Sequence, residues 1–135
     1  MPLYWDLDTC MPKFNVDEIK KRIEELRELR PLWYGDFYPL TTPTNNMREW
    51  IAYQIHRDDL GRGAIVAFRR PESPYPTIEL KLRKLLPDVE YRVVFKDNIM
   101  EGKPLTKAMK GDELANLSVV IGQKRSSAVI TYERV

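Results

Sequence analysis

The hydrophobic positions of this chain keep two different periods, and the change falls near residue 31. From Asn15 onward, Val16, Ile19, Ile23, Leu26 and then Leu29 or Arg30 recur at spacings of three and four, which gathers one apolar stripe on a helix. Asn15 suits its N-cap, with Glu18 three residues on as the capping-box partner, and Pro31 ends it. The opposite face carries Lys20, Lys21, Glu24, Glu25 and Glu28, mixing an opposite-charge pair with a like-charge one, so it reads as a solvated face. Ahead of the helix, Leu3 to Asp8 reads as a short strand with no nearby partner.

Beyond Pro31 the pattern becomes short alternating runs separated by turn residues. Residues 48–56 set Ile51, Tyr53 and Ile55 against Trp50, Ala52 and Gln54, and residues 63–69 set Ile65 and Ala67 against Val66 and Phe68. Both faces are fairly apolar, as in central strands, and Gly61 and Gly63 between the runs suit a hairpin loop. Residues 77–85, with Ile78, Leu80 and Leu82 on one face, are expected to pair as a hairpin with Tyr91, Val93 and Phe95. A third hairpin is expected between Leu117, Val119, Ile121 and Ala128, Ile130, Tyr132, with one edge strand in residues 98–116. The predicted fold is mainly β: an antiparallel, Greek-key-like sandwich of six to eight strands preceded by one amphipathic helix. The predicted organisation is a strand and helix over 1–31, an aromatic connection over 32–47 and the sandwich over 48–135.

Composition narrows the function classes. At 135 residues, 43% hydrophobic and 31% charged, the chain suits one globular core. Twenty-two Lys and Arg against 20 Asp and Glu leave a net charge of +2, which argues against a nucleic-acid partner. No apolar stretch approaches the roughly 20 residues of a membrane helix, so no membrane partner and a cytoplasmic location are expected, unless the chain is part of a secreted parent. Cys10 is the only cysteine and His56 the only histidine. No disulfide, metal site or cofactor is therefore expected.

Residues 33–38 hold four aromatics within six positions: Trp33, Tyr34, Phe37 and Tyr38. With Trp50 and Tyr53 they are the candidate site residues. Three roles stay open for them: sealing a helix onto a sheet, stacking against a sugar ring, or marking an interface with another domain. The run Arg30-Pro31-Leu32-Trp33-Tyr34-Gly35-Asp36-Phe37-Tyr38-Pro39-Leu40-Thr41 resembles the junction between catalytic barrel and C-terminal domain in family-36 glycoside hydrolases, the bacterial α-galactosidases or melibiases. Trp50 to Gln54, Arg57 to Gly63 and Ala67 to Ser73 follow in the order and spacing of that family's first sandwich hairpin, and Trp5 to Asp8 resembles the last barrel strand. The likeness is strongest over residues 30–73 and fades to alternation alone after about residue 75.

The resemblance implies a catalytic (β/α)8 barrel with two catalytic aspartates, followed by an accessory sandwich. No residue here matches either catalytic motif, so no catalytic role is carried over, and one strand with one helix cannot close a barrel. The expected function is a non-catalytic C-terminal domain that packs against and stabilises a barrel. A carbohydrate-binding module and an excised piece of an active α-galactosidase are the alternatives. The expected partners are the barrel, or a second copy through exposed aromatics, and carbohydrate. Asp6 and Asp8 would lie about 6.6 Å apart along one strand face, near glycosidase spacing, but without a surrounding pocket they read as turn or capping residues. His56 lacks a nucleophile beside it and reads as a hydrogen-bonded strand-end residue. Cys10 reads as an inert thiol. Arg62, Arg69 and Arg70 with Lys81, Arg83 and Lys84 read as solubilising, edge-protecting charges.

Overall fold

The structure is a computed structural model that describes residues 15–97 and 104–135. The expected strand at 3–8, with Asp6, Asp8 and Cys10, lies outside the described residues. The chain divides into two units, 1–31 and 32–135.

The first unit holds helix α1, Val16–Leu29. Asn15 is extended, and its Oδ1 accepts the Glu18 N–H at 3.2 Å, answering one of the unpaired donors of the first turn. Asp17 and Glu18 complement the positive end of the helix dipole, and Arg22 bridges to Glu25 at 3.2 Å. The last α-helical bond runs from Arg30 N–H to the Leu26 carbonyl, because Pro31 next in line has no N–H to donate. The backbone then tightens into a 3-10 turn, Arg30–Tyr34. No residue of α1 is buried.

The second unit is built around β-strands. Its strands are β1 (Asp36–Pro39), β2 (Ile51–Arg57), β3 (Arg62–Arg69), β4 (Thr77–Lys81), β5 (Glu90–Asp97), β6 (Leu105–Lys110), β7 (Asn116–Val120) and β8 (Ser126–Arg134), with the one-turn helix α2 (Gly111–Leu114) before β7. They form a six-stranded antiparallel sheet in the order β1-β2-β3-β8-β5-β6 and a two-stranded antiparallel sheet β4-β7. The mainly β, antiparallel fold preceded by one helix is thus observed.

The β2–β3 hairpin is present as expected, with Gln54 opposite Ile65, and Gly61 supplies the left-handed residue at its turn, φ 58°. The other two expected hairpins are not. β4 pairs with β7, so residues 77–81 and 90–97 lie in different sheets. Likewise β8 pairs with β3 and β5 and leaves β7 in the other layer. Alternation reports which face of a strand is buried and not which strand lies beside it, and here the short connections cross between layers. Residues 98–116 do hold an edge strand, β6, paired to β5. The aromatic connection contains a second edge strand, β1, too short and Pro-containing to stand out in the sequence.

Between the layers, Ile65 and Ala67 of β3, Tyr91 and Val93 of β5, and Ala128, Ile130 and Tyr132 of β8 meet Leu80, Leu82, Leu117, Val119 and Ile121. Burying each large aliphatic side chain contributes about 1.5–3 kcal/mol. The small sheet turns Thr77, Glu79, Lys81, Asn116 and Ser118 outward. Its backbone ladder extends past both strand ends through Leu82 N–H to Ala115 O at 2.9 Å and Ile121 N–H to Pro76 O at 2.8 Å.

Both ends of the interlayer space are closed by polar side chains. Gln54 is fully buried. Its Nε2 donates to the Arg83 carbonyl at 2.9 Å and its Oε1 accepts the Arg83 N–H at 2.8 Å, so a side-chain amide pairs with the chain just beyond β4 as a strand would. At the other end of β3, the buried Arg69 guanidinium donates to the carbonyls of Ile121, Gly122 and Ser73. Replacing Gln54 with Leu should cost roughly 2 kcal/mol or more, since it strands the Arg83 amide groups and a hydroxyl at this buried end. Urea unfolding measures this, and a loss below about 0.5 kcal/mol would show that the amide does not join the layers.

Candidate functional site

In β2 the inward phase is Ala52, Gln54 and His56, while the more apolar phase, Ile51, Tyr53 and Ile55, is only half-buried. The reason is visible at the end of the strand. Gln54 Nε2 also donates to the Tyr132 hydroxyl oxygen at 2.7 Å, and His56 Nδ1 lies 2.8 Å from the same oxygen. With the oxygen accepting from Gln54, the hydroxyl hydrogen can turn to Nδ1, which places the imidazole hydrogen on Nε2. Nε2 has no hydrogen-bond partner among the described residues, and Asp58 Oδ1 stands 3.7 Å away. Tyr91 meets the Tyr132 ring edge-on at a centroid distance of 5.9 Å. Gly63, opposite Tyr132 and His56 in the ladder, leaves the space that ring needs, since a Cβ there would collide with the Tyr132 hydroxyl and the Ile55 carbonyl.

Burial lowers the His56 pKa below the ordinary imidazole value, only partly offset by the Asp58 and Asp36 carboxylates. Burial also pushes the Tyr132 hydroxyl well above the ordinary phenol range. Both groups are therefore held neutral. In this arrangement the three side chains act as a buried polar clamp between β2 and β8. Nearby, Arg57 grips Asp59 through two bonds of 2.7 and 2.6 Å, which holds that exposed carboxyl below its ordinary range.

The six candidate aromatics do not form one platform. Trp33 and Tyr34 sit on the 3-10 turn, 46% and 78% exposed. Tyr38 donates to Asp36 Oδ2 at 2.9 Å at the edge of the sheet. Trp50 is buried at the end of the core, its Nε1 donating to the Tyr75 carbonyl at 3.2 Å. Phe37 and Tyr53 do meet, with ring centroids 5.2 Å apart, and Tyr53 reaches Phe68 at 6.4 Å. These three rings cross β1, β2 and β3 on the face of the large sheet that points away from the small one. Phe68 was not among the candidates, although its phase, opposite to Ile65 and Ala67, marked it as facing this way. Tyr75, 72% exposed between Pro74 and Pro76, was also missed. Arg69 falls on an inward position, so it is a buried tie and not part of a solubilising strip. Among the described residues no group of three His, Cys, Asp or Glu side chains could hold a metal ion.

No protein-family model and no curated protein sequence matches the chain. Among solved structures of matching fold is the GH36 α-galactosidase AgaB from Geobacillus stearothermophilus, with a TM-score of 0.65 and 22% identity. The match covers 93% of this chain and 17% of that one. The likeness to a part of a family-36 enzyme, first visible in residues 30–73, is thus present in the fold.

The neutral His56 has a consequence for stability. The unfolded chain takes up a proton on this ring below about pH 6.5, whereas the folded chain resists it, so unfolding becomes proton-coupled and stability falls as the pH drops through that window. The urea midpoint should decrease between about pH 7.5 and pH 5.5, and His56→Gln should flatten that decrease. An unchanged slope in the variant would place the titrating group elsewhere.

Proposed function

We propose that the chain serves as the accessory terminal part of an α-galactosidase-like glycoside hydrolase, packing against and stabilising a catalytic barrel without taking part in the chemistry. The observation that carries this is the fold match, in which almost the whole of this chain corresponds to about a sixth of a GH36 α-galactosidase. The described residues support a structural role. The His56 imidazole and the Tyr132 hydroxyl are buried and tied to Gln54, so these polar groups are spent on joining strands of the sheet.

The packing surface is assigned to the large sheet's aromatic row. Phe37, Tyr53 and Phe68 present an apolar band with Ile55 and Val66 alongside, while the outward face of the small sheet is polar apart from Val120. Aromatic and aliphatic groups at such density are what a stable interdomain contact buries, and left uncovered they favour self-association. The purified chain should show no turnover of p-nitrophenyl α-galactoside. Turnover abolished by Asp6→Asn or Asp8→Asn would overturn the accessory role. Tyr53→Lys combined with Phe68→Lys should weaken association with a co-expressed family-36 barrel by tenfold or more, roughly 1.4 kcal/mol, while the chain alone still unfolds in one cooperative urea transition. Unaltered association would move the contact to another face.

A further inference from the structure

At the end of the sandwich capped by Trp50, a cleft of about 540 Å³ runs between the segment before β2 and the start of β4, lined among others by Thr42, Arg48, Glu49, Trp50, Tyr75 and Thr77. We propose that this cleft binds a neutral saccharide, with one pyranose ring stacked on Tyr75 and its hydroxyls held by Glu49 and Arg48.

Both walls are fixed without a ligand. Tyr75 stands between Pro74 and Pro76, each of which locks its own φ. The Tyr75 carbonyl accepts from Trp50 Nε1 at 3.2 Å and from Ser73 Oγ at 3.4 Å, and the Pro76 carbonyl accepts from Ile121 N–H at 2.8 Å. The backbone is thus pinned to the core while the ring stays 72% exposed. An aromatic presented in this way loses little freedom when a flat partner covers it.

The opposite wall is braced as firmly. Asn46 Oδ1 accepts the Arg48 N–H at 3.1 Å, Asn46 Nδ2 donates to Glu49 Oε1 at 3.2 Å, and Arg70 donates to the Thr44 carbonyl at 2.7 Å. Glu49 is thereby oriented with its second oxygen left to accept, while the Arg48 guanidinium forms no hydrogen bond or ion pair with another described residue.

The chemistry of the lining selects the class of ligand. One carboxylate and one guanidinium lining the same cleft leave it without the net positive charge that would favour an anion such as a phosphate, and they suit the donors and acceptors of vicinal hydroxyls. The exposed ring suits the apolar C–H face of a pyranose. The site is separate from the Phe37, Tyr53 and Phe68 row, and the inference stands independently of the accessory role proposed above.

A ¹H–¹⁵N titration of the full chain with melibiose, maltose and cellobiose tests it. At least one sugar should shift the amides of residues 46–50 and 75–78 at millimolar concentration. Tyr75→Ala should weaken that binding about tenfold or more, whereas Tyr75→Phe and Phe37→Ala should keep it. Glu49→Ala, which leaves the stacking ring in place, provides a second reading should Tyr75→Ala perturb the fold. Absence of shifts with all three sugars, shifts centred on Trp33 to Phe37, or binding indifferent to both Tyr75→Ala and Glu49→Ala would overturn the inference. Each of these would leave the barrel-packing role to its own association test.

Discussion

The architecture depends on how two layers of very unequal size are held in register. A two-stranded sheet offers little area, and its apolar contacts with the six-stranded sheet are non-directional. The Gln54 amide supplies the missing direction. By exchanging two hydrogen bonds with the Arg83 backbone it fixes the exit of β4 over β2, and through the Tyr132 hydroxyl it fixes β8 under the same point. Arg69 performs the corresponding task at the far end with three carbonyls. A buried guanidinium without a carboxylate is costly to desolvate, and it is held here by acceptors that the small sheet and its flanking loops leave unpaired.

That constraint explains the orientation of β2. By apolarity alone Ile51, Tyr53 and Ile55 should face the core, yet the strand turns Gln54 and His56 inward. The polar network can only be satisfied in that phase, and the displaced apolar residues join Phe37, Phe68 and Val66 on the other side of the sheet. The same choice that secures the sandwich therefore builds the apolar band through which a neighbouring domain would be held. Core specification and the proposed accessory role are two consequences of one register.

Much of this was legible in the sequence and some of it was not. Helix α1, its Asn15 cap and the buried faces of β4, β5, β7 and β8 followed from periodicity, because each rests on local side-chain spacing. The β2–β3 hairpin followed from its glycines. The pairing of β4 with β7 did not, since crossovers between layers leave no local signature, and neither did β1, four residues long with a proline in it. Of the six aromatics, Phe37 and Tyr53 come together, Trp50 is buried at the end of the core, and the remaining three lie apart. Two polar residues at alternate positions of an otherwise apolar strand, Gln54 and His56, were the available signal that a buried network lay beneath. The partner of that network, Tyr132, is 78 residues from Gln54 and unreachable by spacing.

Native-state hydrogen exchange at the Arg83 amide reads the central claim most directly, because that N–H donates to the buried Gln54 side chain and lies beyond the last paired residue of β4. If the amide locks the layers together, Arg83 should exchange only through global unfolding, as slowly as Val93 and Ile130 in the middle of the large sheet. Fast exchange at Arg83 while those two remain protected would show the small sheet lifting freely, and would contradict the account.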